Sequence, residues 1–128
     1  MAEMTIKKRP KNLDLTTIRL PLPGKVSILH RVSGAGLFLF LPVLLWFFGA
    51  SLTSPESFGS FKALAAAWPV KVIFAGLIWA FVHHFCAGIR FLLLDLHIGI
   101  EKEAAGKSAA VVLAVSIPLT LILWGVLL

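Results

Sequence analysis

Two histidines and an arginine, His83, His84 and Arg90, stand near the end of a stretch that begins around Pro69 and is otherwise mostly Val, Ile, Leu, Phe, Ala and Trp. Ionisable side chains at membrane depth are costly, and their presence there marks a functional site by default. His84 falls about fifteen residues after Pro69, roughly 22 Å along a helix axis and inside the hydrocarbon. Gly88 follows one turn later and leaves room beside the imidazole for something flat and bulky. His83 projects about 100° away, on the face that Arg90 shares. One histidine of the pair can face the bundle interior while the other follows Arg90. Axial coordination of haem iron is the ligand chemistry that suits this pair best, because neutral imidazole binds it and a planar macrocycle fits a slot opened by glycine. The plainer alternative is an imidazole that only hydrogen-bonds between helices.

A second constellation lies earlier, where Ser27, His30 and Arg31 occupy one turn at the opening of another apolar block. A hydroxyl, an imidazole and a fixed cation there can hold a carbonyl or carboxylate group. Arg31 has an equally simple reading as a side chain that snorkels to the headgroups. Asp95 shares nearly the same helix face as His84 and suits a hydrated carboxylate at a helix end, while His97 sits in a polar segment beside Gly99 and Glu101. Cys86 reads as an apolar packing residue, and Trp46, Trp68, Trp79 and Trp124 as anchoring and packing groups.

The elements that must position these residues are membrane helices. The 128 residues are 59% hydrophobic and 14% charged, with mean hydropathy +0.94, too little polar surface to cover a soluble globule of this size. The apolar residues form three blocks, each near the roughly 20 residues that a spanning helix needs. The expected fold is an all-α membrane protein with spans over about 26–52, 69–95 and 108–128, preceded by a cytoplasmic or interfacial arm over 1–25. Within that arm, residues 16–23 suit a segment along the membrane surface, and Gly24 is expected to free the chain to turn. Residues 53–60 and 96–108 are expected as loops, with a short interfacial helix over 61–68. Pro42 is a candidate bend, and Ser33, Gly34 and Gly36 form a small-residue patch where another backbone can approach.

Seven of the twelve basic residues (Lys7, Lys8, Arg9, Lys11, Arg19, Lys25 and Arg31) precede or open the first block. That distribution reads as the positive-inside signal, with the N-terminus cytoplasmic and the C-terminus periplasmic, rather than as a nucleic-acid surface. The first ~30 residues carry no apolar signal core or small-residue cleavage site, so the first span is expected to direct its own insertion. The lone Cys86 excludes an internal disulfide and cannot furnish the four thiolates of a typical iron–sulfur cluster. No nucleophile motif, phosphate loop or metal-hydrolase spacing is present, so the chain is not a self-contained hydrolase or nucleotide enzyme.

Taken together, Arg9-Pro10-Lys11-Asn12-Leu13-Asp14-Leu15, Ser27-Ile28-Leu29-His30-Arg31-Val32-Ser33-Gly34 and His84-x-x-x-Gly88-x-Arg90 with Asp95 span essentially the whole chain. In order and spacing this pattern resembles the cytochrome b large membrane-anchor subunits of bacterial succinate dehydrogenase, respiratory complex II. One departure is Phe91, where the family pattern often has a second histidine.

The resemblance implies a complex of four different subunits in the bacterial inner membrane: a flavoprotein with FAD, an iron–sulfur subunit, and two hydrophobic three-helix anchors in membrane lipid. It implies that His84 ligates the iron of haem b, that Ser27 and Arg31 help form the ubiquinone site, and that His30 and Arg31 lie near the haem propionates. The chain would then belong to a succinate:quinone oxidoreductase without having catalytic activity alone. The alternatives are a haem-less structural anchor and the anchor subunit of a fumarate reductase.

Overall fold

The computed structural model describes Lys11, Asp14 and residues 16–128. Of the Arg9-to-Leu15 motif only Lys11 and Asp14 are described, and residues 1–10, 12, 13 and 15 of the expected arm lie outside the described residues. Four helices follow in order, α1 (Leu22–Thr53), α2 (Pro55–Ala66), α3 (Trp68–Asp95) and α4 (Lys102–Leu127). Helices α1, α3 and α4 are each long and apolar enough to cross a membrane. The fold is therefore the expected all-α arrangement of three spans.

Several boundaries differ from those read off the sequence. Helix α1 starts at Leu22, with Pro23 in its first turn and Gly24 inside it, so the chain does not turn at Gly24. A first-turn proline forfeits no hydrogen bond, and a backbone approaching lipid has no better option than to stay helical. The turn falls earlier, where the Thr16 hydroxyl and amide both donate to the Asp14 carboxylate, at 2.6 and 2.9 Å. Those bonds, the hydroxyl's first, hold the Asp14 carboxyl below its ordinary value.

The segment expected as a loop over 53–60 is largely α2, whose N-cap Ser54 accepts from the Ser57 amide at 3.0 Å with Pro55 in the first turn. Ser-Pro-Glu is a helix-start signature that the polar composition of the segment hides. Helix α4 begins six residues before the expected 108, and its first turn is braced by a Glu103–Lys107 pair at 2.7 Å. The real turn between α3 and α4 is short and contains two positive-φ residues, His97 (61°) and Gly99 (72°).

Helix α3 is the central element, packing against α1 on one side and α4 on the other, while α2 lies across α1 and α3. Val26, Ala87, Ala109 and Val112 form the small apolar core, with Cys86, Phe91 and Leu113 packed against it. The buried set otherwise consists of Ser33, Val82, His83, Arg90, Ser116 and Thr120, whereas Phe38, Leu39, Trp46 and many other large apolar residues face outward. Small and polar residues inside with apolar residues outside is the distribution expected when lipid is the solvent. On α2, Phe58 and Phe61 stack, and Phe61 and Phe74 each meet Phe47 edge-on, fixing α2 to the adjoining ends of α1 and α3.

Candidate functional site

The seam between α1 and α3 brings together His30 and His84, with Ser33 beside them. Ser27, His30 and Ser33 come from the first four turns of α1, and His84 comes from the second half of α3. The imidazoles of His30 and His84 stack, with centroids 4.1 Å apart and planes 6° from parallel. His84 Nδ1 lies 2.9 Å from the His30 carbonyl oxygen and 3.3 Å from Ser33 Oγ. Ser33 Oγ donates to the same carbonyl at 2.9 Å. Because the carbonyl can only accept, Nδ1 must carry the proton, which leaves the Nε2 lone pair unprotonated in the neutral ring.

The close approach of the helices depends on Gly34. A β-carbon there would lie 2.7 Å from His84 Cε1 and 3.2 Å from Nδ1, so the ring occupies space that any other residue would fill. Gly88, the glycine expected to open a slot beside His84, has a different neighbour: a β-carbon there would meet only His30 Nε2, at 3.8 Å. The flat group beside His84 in this chain is therefore the His30 ring. Phe91 closes the far side of His30 at 5.0 Å.

The two histidines divide as one buried and one half-open. His83 is fully buried, stacks on Trp79 at 5.0 Å and has no hydrogen-bond partner on either ring nitrogen. The Val26 backbone acts on it electrostatically without meeting hydrogen-bond geometry. His84 is only half-buried, and its Nε2 makes no hydrogen bond to the described residues.

Ser27 is half-buried and has no hydrogen-bond partner among the described residues, and Arg31 is exposed one turn on. Asp95 ends α3 and His97 lies in the following turn, both exposed. Cys86 packs on the core and Trp124 Nε1 donates to the Lys71 carbonyl at 2.9 Å, tying the end of α4 to the start of α3.

Sequence reasoning missed two parts of this site, the Gly34 cradle and the placement of Ser33 against His84. Gly34 was visible only as part of a small-residue patch, because spacing along α1 does not show which side chain on α3 it faces. The same limit hid the partners of Arg90 on α4. Arg90 is 5% exposed, and its Nε and Nη2 donate to Ser108 Oγ and the Ala105 carbonyl of α4 at 2.8 and 3.1 Å.

Comparison with known proteins places this architecture in a family. Residues 5–123 match the family described as succinate dehydrogenase/fumarate reductase transmembrane subunit. The succinate dehydrogenase cytochrome b556 subunit of Paracoccus denitrificans is 33% identical over 122 residues, covering 95% of this chain and 94% of that protein. The like-named subunit of Coxiella burnetii is 36% identical over 121 residues, with 93% and 95% covered. That of Rickettsia prowazekii is 30% identical over 117 residues, with 91% of each covered. With three membrane helices, a match over nearly all its length and relatives of the same size, the chain belongs to the cytochrome b membrane-anchor subunits of succinate dehydrogenase.

Proposed function

We propose that this chain binds haem b through His84 and forms part of a ubiquinone-reduction site with Ser27 and Arg31. It would do so in a complex with a second hydrophobic anchor, an iron–sulfur subunit and a flavoprotein in a bacterial inner membrane. The observation that carries the reading is the bond between His84 Nδ1 and the His30 carbonyl, 2.9 Å long. It sets the tautomer that leaves Nε2 free to ligate, and it fixes the ring's orientation, as backbone carbonyls do for metal-bound imidazoles elsewhere. The half-open position of His84 leaves that nitrogen accessible from outside the three helices, where a ligand from the second anchor would complete the coordination. The cytochrome b556 relatives support the same cofactor. Haem b, when bound, would supply a one-electron relay.

The chain's own residues do the rest. His30 stacks on the ligand and, with Arg31, would lie near the haem propionates, where the Arg31 guanidinium would offset their charge. The Ser27 hydroxyl, unspent within the chain, would donate to a quinone carbonyl. Arg31 would stabilise the negative charge that develops there as electrons arrive from the iron–sulfur subunit.

Topology agrees with this placement. Among the described residues, seven of the nine Lys and Arg fall at the end of the bundle that holds the start of α1 and the α3–α4 turn, and Lys62 and Lys71 at the other. The positive-inside rule then puts Ser27, Arg31 and His84 on the cytoplasmic side, with the C-terminus periplasmic.

The test is a reduced-minus-oxidised spectrum of the complex purified with its partners, in the wild type and in His84→Ala and Ser27→Ala. A b-type signal that changes its ligation state in His84→Ala is the expected result; no haem in the wild type leaves a structural anchor only. Ser27→Ala should lower succinate-to-quinone turnover roughly ten- to 150-fold, the weight of one charge-assisted hydrogen bond, and spare reduction of an artificial acceptor. Equal loss of both activities would indicate failed assembly.

A further inference from the structure

A cavity of about 380 Å³ lies between α3 and α4, bounded by Cys86, Ile89, Leu93, Val111 and Val115, with Arg90 among its lining residues. Its volume is in the ordinary range for small-molecule sites. Its wall is apolar apart from Arg90, which is 5% exposed, and Ser108, whose hydroxyl is taken up with Arg90 and the Ala105 carbonyl. The guanidinium spends Nε on Ser108 Oγ and Nη2 on the Ala105 carbonyl, and it sits 5.6 Å from the Phe91 ring. Among the described residues Nη1 makes no hydrogen bond and no carboxylate pairs with Arg90; Glu103, in the first turn of α4, is taken by Lys107. A buried guanidinium without a counter-ion lacks the partner that makes burial of charge tolerable.

Depth identifies the partner. Arg90 lies five residues before the end of α3, about 7.5 Å along the axis, where headgroups meet the hydrocarbon. The cavity runs from there beside Val111 and Val115, deeper along α4. A ligand that is anionic at the boundary and apolar below it fits this shape and charge. Basic pockets between membrane helices are suited to phospholipid headgroups in this way.

We propose that the α3–α4 cavity holds one anionic glycerophospholipid, with its phosphate on Arg90 Nη1 and an acyl chain along Ile89, Val111 and Val115. This site is on the opposite face of α3 from the His30–His84 seam, and the proposal stands whether or not His84 ligates haem.

The test uses the complex purified with its partner subunits, delipidated in mild detergent and titrated with dioleoylphosphatidylglycerol, with bound lipid counted by native mass spectrometry. The wild type should bind one more phosphatidylglycerol per copy than Arg90→Gln, whose affinity for that lipid falls at least tenfold. Val115→Trp fills the acyl floor while leaving Arg90 in place, and it should lose the same lipid with an unchanged haem spectrum. If Arg90→Gln fails to assemble, Val115→Trp decides alone. Equal lipid counts in the wild type and the assembled variants overturn the proposal. So does displacement of the lipid by millimolar inorganic phosphate, which would mark a site for a soluble anion. A cross-link from position 111 to a helix of the second anchor would overturn it too, because the groove would then be a protein interface.

Discussion

The two seams of α3 use polar groups in opposite ways. Toward α1, His84 gives one nitrogen to the His30 carbonyl and keeps the other unspent, in a half-open position, held by a glycine that admits the ring and by the stacked His30. Toward α4, Arg90 is almost fully buried and turns two of its nitrogens to the first turns of the neighbouring helix. Both arrangements satisfy the demand that polar groups in lipid find partners. The first leaves a ring nitrogen of a half-open side chain for something outside the chain, whereas the second spends two of the three guanidinium nitrogens on fastening helix to helix and leaves only Nη1. Between them His83 is sealed in the core, stacked on Trp79 with no hydrogen bond to either ring nitrogen among the described residues.

The largest expected effect comes from filling the cradle on the α1 side. Gly34→Val places its β-carbon where His84 Cε1 lies 2.7 Å away, and the neighbour is a ring pinned by stacking and not a flexible chain end. Overpacking of this kind costs about 1–3 kcal/mol, and the ring must move. Haem absorbance per complex should fall sharply, with the thermal midpoint falling beside it. A normal spectrum in Gly34→Val would separate the cradle from cofactor binding and remove the functional contrast between the seams.

Ser108→Ala probes the other side. Removing the hydroxyl leaves Arg90 Nε without its 2.8 Å acceptor, and an orphaned buried donor costs about 1–3 kcal/mol. The thermal midpoint of the complex should drop while the haem spectrum stays wild-type. A spectral change here would show that the α4 side is coupled to His84, and the division between the seams would fail.

How far these features were legible in the sequence follows from the same geometry. Three spans could be read from apolar blocks, because length against bilayer thickness is a one-dimensional property. His84, His30 and Arg31 stood out by the cost of polar groups in lipid, again a local signal. What could not be read was which residues meet across a seam. Gly34 against His84 and Arg90 against Ser108 are separated by 50 and 18 positions, and no periodicity within one helix fixes the rotation of another. Helix ends were misplaced where polar composition suggested loops, at Pro55 and Lys102, because capping and an i,i+4 ion pair hold helices that hydropathy alone does not show.

His83→Phe should have a smaller effect than either seam variant. Its nitrogens have no hydrogen bond to lose, and an aromatic replacement of similar shape keeps the stack on Trp79. Exchanging a buried unpartnered polar group for an apolar one is neutral or stabilising, so the midpoint should stay level or rise and the haem ligation should not change. Loss of the b-type spectrum in this variant would transfer the ligand role from His84 to its neighbour.

The smallest effect lies outside both seams, at Asp14, where the carboxylate is fully exposed and its bonds compete with water. The Thr16 hydroxyl and amide donate to the charged form, so the folded-state titration lies below the ordinary carboxylate value. The sign follows: the turn's stabilisation is complete above the unfolded value of about 3.9 and is lost as pH falls through the folded one. Carbon-13 labelling of aspartate would give the Asp14 titration in the detergent-solubilised complex. Thr16→Val removes the leading contribution, the hydroxyl, but keeps the amide, so the midpoint should move up toward the ordinary value without reaching it. Haem spectrum and thermal midpoint should be indistinguishable from wild type, because the turn lies ahead of α1 and the bonds from Thr16 to Asp14 stay within it. A midpoint unmoved by Thr16→Val would show that the hydroxyl is not what holds the charge. A changed haem spectrum would show that the entry turn helps set the rotation of α1, and through it the position of His30 against His84.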